Sequence, residues 1–208
     1  GQRPQRGDAR QIPTLYFAER LPYHMVNTVS TFIYKSMGVS NEVIGYTSYL
    51  YLPWVIKMFW GPMVDLYGTK RSWLRHMQLL MALSFGVLAV ALFSPSYLTH
   101  SLIVFTVVAF FSATHDIATD GFYMLTLSPE NQAFYVGIRS LFYRLGAIFT
   151  TGGLVVWAGN MEKSLGDIPQ AWANVMWTGA AIFAALFLFH TLYLPKPAAD
   201  VRGRRQES

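Results

Sequence analysis

Two carboxylates in the middle of a long apolar run constrain the fold of this chain more than any other feature. The run extends from near Tyr97 to near Leu127 and contains Asp116 and Asp120. On a helix, residues four apart lie on the same face, one turn from each other. A charge at the centre of a membrane-length helix costs roughly 2.5–3.5 kcal/mol, so such a side chain faces a bundle interior or a water-filled cavity rather than lipid. The pair therefore predicts a proton or substrate site, or an ion pair that only fixes how the helices pack.

The composition is typical of a membrane protein. Hydrophobic residues make up 53% of the chain and charged residues 13%, about half of the charged share of a soluble domain. Several apolar runs reach the roughly 20 residues that span a bilayer. The net charge of +5 does not indicate a nucleic-acid partner, because the basic residues stand at the ends of the apolar runs. Cysteine is absent, which excludes disulfides and thiolate chemistry.

The spacing of apolar runs and turn residues predicts an all-α integral membrane protein with a bundle of six transmembrane helices. Ser40 or Asn41 is available to cap the second helix, and Pro53 can kink it. The predicted helices are approximately residues 12–37, 42–64, 73–93, 97–127, 133–157 and 171–194.

Lysine and arginine outside the helices indicate the orientation. Residues 1–11 form an amino-terminal segment with three arginines, the link after the second helix carries Lys70 and Arg71, and residues 195–208 form a tail with four basic residues. The opposite loops carry only two lysines, at their edges. By the positive-inside rule, both ends of the bundle, residues 12–194, are cytoplasmic. Because the chain begins with glycine, we expect it to be part of a longer protein.

Charged residues in the fourth and fifth helices are predicted to form two layers. Counted from the turn at Glu130, Asp120 and Arg139 both lie about 14 Å deep, at 1.5 Å per residue. Asp116 and Arg144 both lie about 21 Å deep by the same count. These layers predict ion pairs between the two helices, or charges that face a shared cavity. The arginines are five apart and point in different directions, so at least one is expected to be available for a ligand or another helix.

Four further residues complete the predicted proton- or substrate-binding set: Lys57, His24, His115 and Asn27. Lys57 lies near the depth of Asp120, although a lone lysine also extends its amine to the membrane interface. The two histidines either carry protons, since histidine titrates in the useful range, or are satisfied core residues. Asn27 falls near the same side of the first helix as Glu19, Arg20 and His24. The histidines are too scattered for a metal site, and no cofactor is expected.

The link between the second and third helices is predicted to act as a gating loop; its residues are Gly61, Asp65, Gly68, Lys70 and Arg71. Gly68 can supply a positive φ for the reversal. Asp65 can accept hydrogen bonds from the amino end of a neighbouring helix, where the dipole favours a negative charge. Such an ionic latch would open and close as helix bundles rock, and the alternative is a plain positive-inside anchor.

These residues resemble a known family. The five residues of the link are similar to the signature loop between helices two and three of the major facilitator superfamily. Within it, several blocks resemble the AmpG-like muropeptide permeases and the related acetyl-CoA transporters. The blocks are residues 52–62, 71–74, 115–121, 143–146 and 152–154.

The resemblance implies a secondary transporter that works by alternating access, with its site near the bilayer midplane between two six-helix halves. It implies that this chain is the amino-terminal half, a 3+3 inverted repeat, whose tail begins the linker to a second half. For the AmpG branch it implies proton-driven import of anhydromuropeptides across the bacterial inner membrane. The polar residues inside the half would be Lys57, Asp116, Asp120, Arg139 and Arg144.

Several alternatives stay open. The family has about twelve helices and the chain is predicted to have six, so half of the substrate cavity is expected to lie outside it. The cargo could therefore also be acetyl-CoA, a sugar or a peptide. Burial in a low-dielectric cavity favours the neutral form of a carboxylic acid, so Asp116 or Asp120 could bind a proton on the acidic side and release it inside. A non-transporting interaction module built from half a transporter is a second class. An intramembrane enzyme is a third, disfavoured because both acids lie on one helix.

Overall fold

The structure, a computed structural model, describes residues 11–201. Residues 1–10 of the predicted amino-terminal segment and residues 202–208 of the predicted tail lie outside the described residues. Within the described range the chain is helical and contains no β-strand.

We label the helical segments α1 to α6. α1 joins Ile12–His24, the π-helical turn Met25–Val29 and Ser30–Ser36. α2 joins Asn41–Tyr46, Thr47–Tyr51, Leu52–Ile56, Lys57–Phe59 and Gly61–Leu66. The others are α3, Lys70–Ala91; α4, Tyr97–Thr126; α5, Pro129–Leu165; and α6, Ile168–Tyr193.

Four of these described helices, α3 to α6, are long and apolar enough to cross a membrane. The prediction of an all-α membrane protein is thereby confirmed, and the chain is a multi-pass membrane protein. α1 carries several ionisable residues, and α2 is interrupted by short 3₁₀ turns. A membrane-spanning role for these two, and hence the count of six, stays a prediction.

Three helices begin earlier than predicted because a polar side chain caps each of them. The cap oxygens of Thr69, Ser128 and Asp167 accept backbone N–H bonds of 3.1, 3.4 and 2.9 Å at the starts of α3, α5 and α6. α5 also continues eight residues beyond the predicted end, to Leu165, and ends at Gly166 with φ 66°. Residues 158–165, which lie beyond the predicted end of the fifth helix, are therefore helical.

Prolines shape α1 and α2 differently. Pro13 stands in the first turn of α1, where its missing N–H is not needed. α1 continues through Pro22 and widens into the π-helical turn three residues later. In α2, Pro53 and Pro62 each lie in the first turn of a new α-helical segment that follows a 3₁₀ turn. The helix is thus interrupted at Pro53, where a kink is predicted.

The packing of the helices separates two buried apolar clusters. α3 packs against α4 and α6, while α1 packs against α4 and α5. The larger cluster includes Phe85 and Phe183, whose rings stack at 5.7 Å, and the smaller one includes Phe122 and Leu74. α1 and α4 contribute to both clusters: Asp116 lies between the two contributions of α4, and Glu19 comes directly after Ala18, the first residue that α1 contributes to the larger cluster. Buried carboxylates therefore occupy the boundary between the two apolar clusters.

Gly146 permits the close approach of α5 to α1. A Cβ atom added there would lie 3.3 Å from Arg20 Cβ and 3.6 Å from His24 Cδ2. We expect Gly146→Leu to destabilise the protein by about 1–3 kcal/mol, because the larger side chain must push the helices apart. The matched control is Gly137→Leu, also on α5, where an added Cβ meets nothing within 4 Å and helix propensity improves. Thermal unfolding in detergent measures both, and equal losses would contradict a role for the close approach.

Candidate functional site

Six charged side chains from four helices meet inside the bundle. We call this group the charge cluster; its members are Glu19 and Arg20 on α1, Lys57 on α2, Asp116 and Asp120 on α4, and Arg139 on α5. Burial of charges is tolerated only when they are paired or hydrogen-bonded, and the pairing in this cluster is incomplete.

Glu19 is the most buried member, with 1% of its surface exposed. Its Oε1 accepts a 2.8 Å hydrogen bond from Arg139 Nη2 and lies 3.5 Å from Arg20 Nη2. The two guanidinium groups also stand over aromatic rings, Arg20 at 5.1 Å from Tyr143 and Arg139 at 5.8 Å from Tyr16. The second oxygen of Glu19, Oε2, has no hydrogen-bond partner among the described residues.

Asp116 repeats this arrangement on α4. It is 5% exposed, and its Oδ2 accepts a 3.2 Å bond from Lys57 Nζ. Lys57 therefore turns into the bundle at this point instead of only extending to the interface. Asp116 Oδ1, like Glu19 Oε2, has no partner in the described part of the chain. Glu19 and Asp116 lie in the same part of the cluster, because Arg139 joins Glu19 to Asp120, one helical turn from Asp116, and α1 packs against α4.

The shallower predicted layer is present and the deeper one is not. Arg139 Nη1 lies 3.2 Å from Asp120 Oδ1, so these residues pair between α4 and α5 as predicted. Arg144 is exposed and forms no ion pair with a described residue, so it does not pair with Asp116 and is the arginine left available for a ligand or another helix. The physical reason is the direction of the side chains. Residues five apart do not share a face of a helix, because one turn takes 3.6 residues. Arg144 therefore points away from the side on which Arg139 meets the acids.

Two other predicted residues lie on α1. His24 is buried against the Tyr143 ring at 5.4 Å, and its Nε2 lacks a partner among residues 11–201. Asn27 donates to the carbonyl of Tyr23 at 3.0 Å within the π-helical turn. Their roles in proton or substrate binding remain predictions.

His115 belongs to a separate buried chain of hydrogen bonds, which we call the histidine network. Gln78 on α3 lies at its centre: its Nε2 donates to His115 Nε2 at 3.0 Å, and its Oε1 accepts from His190 Nδ1 at 2.9 Å. His115 Nδ1 lies 3.3 Å from Thr119 Oγ1, and His190 Nε2 lies 2.8 Å from Thr14 Oγ1. The network ties α1, α3, α4 and α6 together, and both ring nitrogens of each histidine have partners. This is the satisfied core arrangement that the sequence left open for His115.

The contacts of the predicted gating loop differ from those expected. Gly68 has the predicted positive φ, 78°. Asp65 pairs with the side chain of Lys70 rather than with a helix end. The backbone amides of Lys70 and Arg71 at the start of α3 instead donate to Asp200, to Oδ1 at 2.7 Å and to Oδ2 at 3.0 Å. Asp200 was not among the predicted site residues.

Arg71 adds a second set of contacts between the start of α3 and the end of α6. Its guanidinium donates to the carbonyls of Thr191 and Leu194 at 2.9 and 3.0 Å, at the carboxyl end of α6. A cation thus binds the negative end of α6 while Asp200, seven residues after that end, binds the positive end of α3. Gly61 opens the last segment of α2, before the loop.

The charge cluster contains equal numbers of acids and cations. Its three carboxylates balance its three cations, so a proton on any carboxylate leaves one positive charge in excess. No group of three His, Asp or Glu side chains within the described range is arranged to hold a metal ion.

Comparison with known proteins gives a consistent result. A model of the Major Facilitator Superfamily matches residues 14–208. The anhydromuropeptide permease of Escherichia coli (strain K12) is 29% identical over 193 residues, which cover 90% of this chain and 37% of the permease. An uncharacterized protein of Haemophilus influenzae is 28% identical over 91% of this chain and 44% of its own length. A putative transporter, AmpG 3, of Rickettsia prowazekii is 30% identical over 55% of this chain and 29% of its own length. The chain spans less than half the length of these relatives.

Proposed function

The chain belongs to the major facilitator superfamily, and from that premise we propose that it is the amino-terminal half of an AmpG-like, proton-coupled secondary transporter. The family and the relatives indicate a transporter rather than an enzyme. The match to about two fifths of the permease supports a second half of similar size. In this proposal α1 and α2 also cross the membrane, giving a six-helix bundle, built as a 3+3 inverted repeat, with both ends in the cytoplasm of a bacterial cell.

The observation that carries the proposal is the incompletely paired acid at the centre of the bundle. Asp120 has an arginine partner and a side chain that is 42% exposed, whereas Asp116 is buried with one oxygen unpartnered. Burial disfavours a charged carboxylate and a nearby cation favours it, so the less well paired acid is the better proton carrier. We assign this role to Asp116, which would bind a proton from the acidic side and release it inside.

The substrate is proposed to be a polar anion such as an anhydromuropeptide. The name of the Escherichia coli relative supports this cargo, and the cluster supports an anion because a bound proton leaves an uncompensated cation. Arg144, exposed and without an ion partner in the described residues, is available for a substrate carboxylate. Acetyl-CoA is also anionic, so charge alone does not choose between the two.

Alternating access would use the gating loop. The contacts of Asp200 and Arg71 hold the start of α3 against the end of α6. These contacts lie within one half, so they would hold the loop in place while the second half rocks against it.

Transport by Asp116→Asn and Asp120→Asn variants of the full-length protein, reconstituted in vesicles, tests the proposal. Asp116→Asn should abolish proton-driven accumulation of labelled anhydromuropeptide while retaining counterflow, because exchange needs binding but no net proton movement. Asp120→Asn should retain part of the accumulation. Acetyl-CoA and a neutral disaccharide serve as alternative cargoes, and full proton-driven accumulation in both variants would overturn the assigned role.

A further inference from the structure

Glu19 and Asp116 form a pair of buried carboxyl groups contributed by different helices. Glu19 lies on α1 and Asp116 on α4, with exposures of 1% and 5%. Both belong to the charge cluster, where Arg139 joins Glu19 to Asp120, one helical turn from Asp116. Each uses one oxygen to bind a cation, Arg139 for Glu19 and Lys57 for Asp116. The other oxygen of each carboxyl finds no donor among the described residues.

This arrangement is unfavourable if both groups are ionised. A carboxylate only accepts hydrogen bonds, so two facing carboxylates repel each other and leave two buried oxygens unsatisfied. Leaving a buried polar group unsatisfied destabilises the fold. One added proton removes both problems, because the protonated carboxyl donates to the other in a charge-assisted bond. Two carboxyl groups that share a site in this way hold one proton between them.

We propose that Glu19 and Asp116 share a single proton and together form the proton-binding site of this protein. The shared proton is a property of the pair rather than of either residue. Glu19 thereby becomes part of the site, although no sequence pattern separates it from the other polar residues of α1. As a binding site the pair stands on the geometry alone; its role in coupling rests on the proposed function.

The charges that face the pair determine what the proton does. They are Arg20 on α1, Lys57 on α2, Asp120 on α4 and Arg139 on α5. With the proton bound, the pair carries one negative charge and Asp120 another, against three cations, so the cluster is positive by one. Without the proton the cluster is neutral. Binding of the proton therefore creates the positive charge that an anionic substrate requires, and release of the proton removes it.

Asp120 serves as an internal control for this inference. It lies one helical turn from Asp116 but pairs directly with Arg139, and its side chain is 42% exposed. Arg139 binds one of its oxygens and the exposed side chain leaves the other accessible, so it has no need of a shared proton.

Infrared difference spectroscopy of the purified protein tests the shared proton without any transport assay. The carbonyl stretching band of a buried carboxylic acid, shifted in D₂O, should be present in the wild type and disappear as pH rises. In Glu19→Gln and in Asp116→Asn the new amide donates to the remaining carboxylate beside its cation, so the band should be lost in both. Asp120→Asn should retain it. Thermal unfolding checks that each variant is folded.

The outcomes separate the possibilities. Loss of the band in both single variants supports the shared proton. A band that survives in one of them assigns the proton to a single acid and overturns the pair, as does a wild type without the band at any pH. If Glu19→Gln does not fold, Glu19→Asp withdraws the carboxyl by one methylene; a shared band should then shift in frequency, and an unchanged band would contradict sharing. A band that behaves as expected in a protein without proton-driven uptake would leave the pair standing and refute the proposed transport.

Discussion

Replacing Arg139 with leucine is expected to destabilise the protein by about 3 kcal/mol, because this arginine supports two carboxylates at once. It donates to Glu19 at 2.8 Å and lies 3.2 Å from Asp120. Removal leaves the buried Glu19 with only Arg20, at 3.5 Å. Breaking a buried ion pair by removing one partner costs about 3–5 kcal/mol, and the lower end applies because the Arg139 side chain is 34% exposed and partly solvated. Equilibrium unfolding in detergent measures the loss.

Two further variants show whether the loss comes from the stranded charge. Adding Glu19→Gln to Arg139→Leu removes the unpaired charge, so the double variant should be more stable than Arg139→Leu alone, as a double-mutant cycle would record. Arg144→Leu, on the same helix, is the matched control, because Arg144 is exposed and lacks an ion pair within the described residues. Its effect should stay within about 0.5 kcal/mol. Equal losses for the two arginines, or no recovery with Glu19→Gln, would contradict the assignment.

The pairing partners in the cluster show which part of the site the sequence could specify. Counting residues from the turn at Glu130 correctly brought Asp120 and Arg139 to one level, because rise per residue is constant in two antiparallel helices. The same count brought Arg144 to the level of Asp116, but the two do not pair. Depth does not determine the side of a helix on which a charge lies, and the true partner, Lys57, comes from α2.

Glu19 was missed for a different reason. Prolines such as Pro13 and Pro22 usually interrupt a helix, which favours a carboxylate between them near the membrane interface rather than deep in a bundle. In the structure the helix begins at Ile12 and continues through Pro22, which carries Glu19 into the bundle. The available signal was its position on the same side of α1 as His24 and Asn27.

The cap residues and Asp200 illustrate two degrees of predictability. Thr69, Ser128 and Asp167 each precede a helix by one residue and are typical cap residues, so the earlier helix starts were available from local sequence. Asp200 binds the start of α3 from 130 residues away along the chain. The sequence shows only that the tail is basic. No local pattern indicates a contact between residues so far apart along the chain.

Replacing Gln78 with methionine is expected to cost about 1–3 kcal/mol for each histidine nitrogen that it leaves unpaired. Gln78 is fully buried and is bonded to both His115 and His190. Methionine fills a similar volume but neither donates to His115 Nε2 nor accepts strongly from His190 Nδ1. The loss should therefore report on hydrogen bonding more than on packing, and unfolding in detergent measures it.

His76→Met is the matched control for Gln78→Met, because His76 is exposed on the same helix and bonds only locally, to Ser72, among the contacts of the described residues. If both methionine variants are equally stable, the histidine network contributes nothing to the fold.

Neighbouring residues on a helix point in different directions, so His115 and Asp116 should serve separate systems. The infrared band of the shared proton should thus persist in Gln78→Met, since α4 holds the network on one face and the proton site on another. Loss of that band would show that the network sets the protonation of Asp116, and would contradict the separation of the two systems.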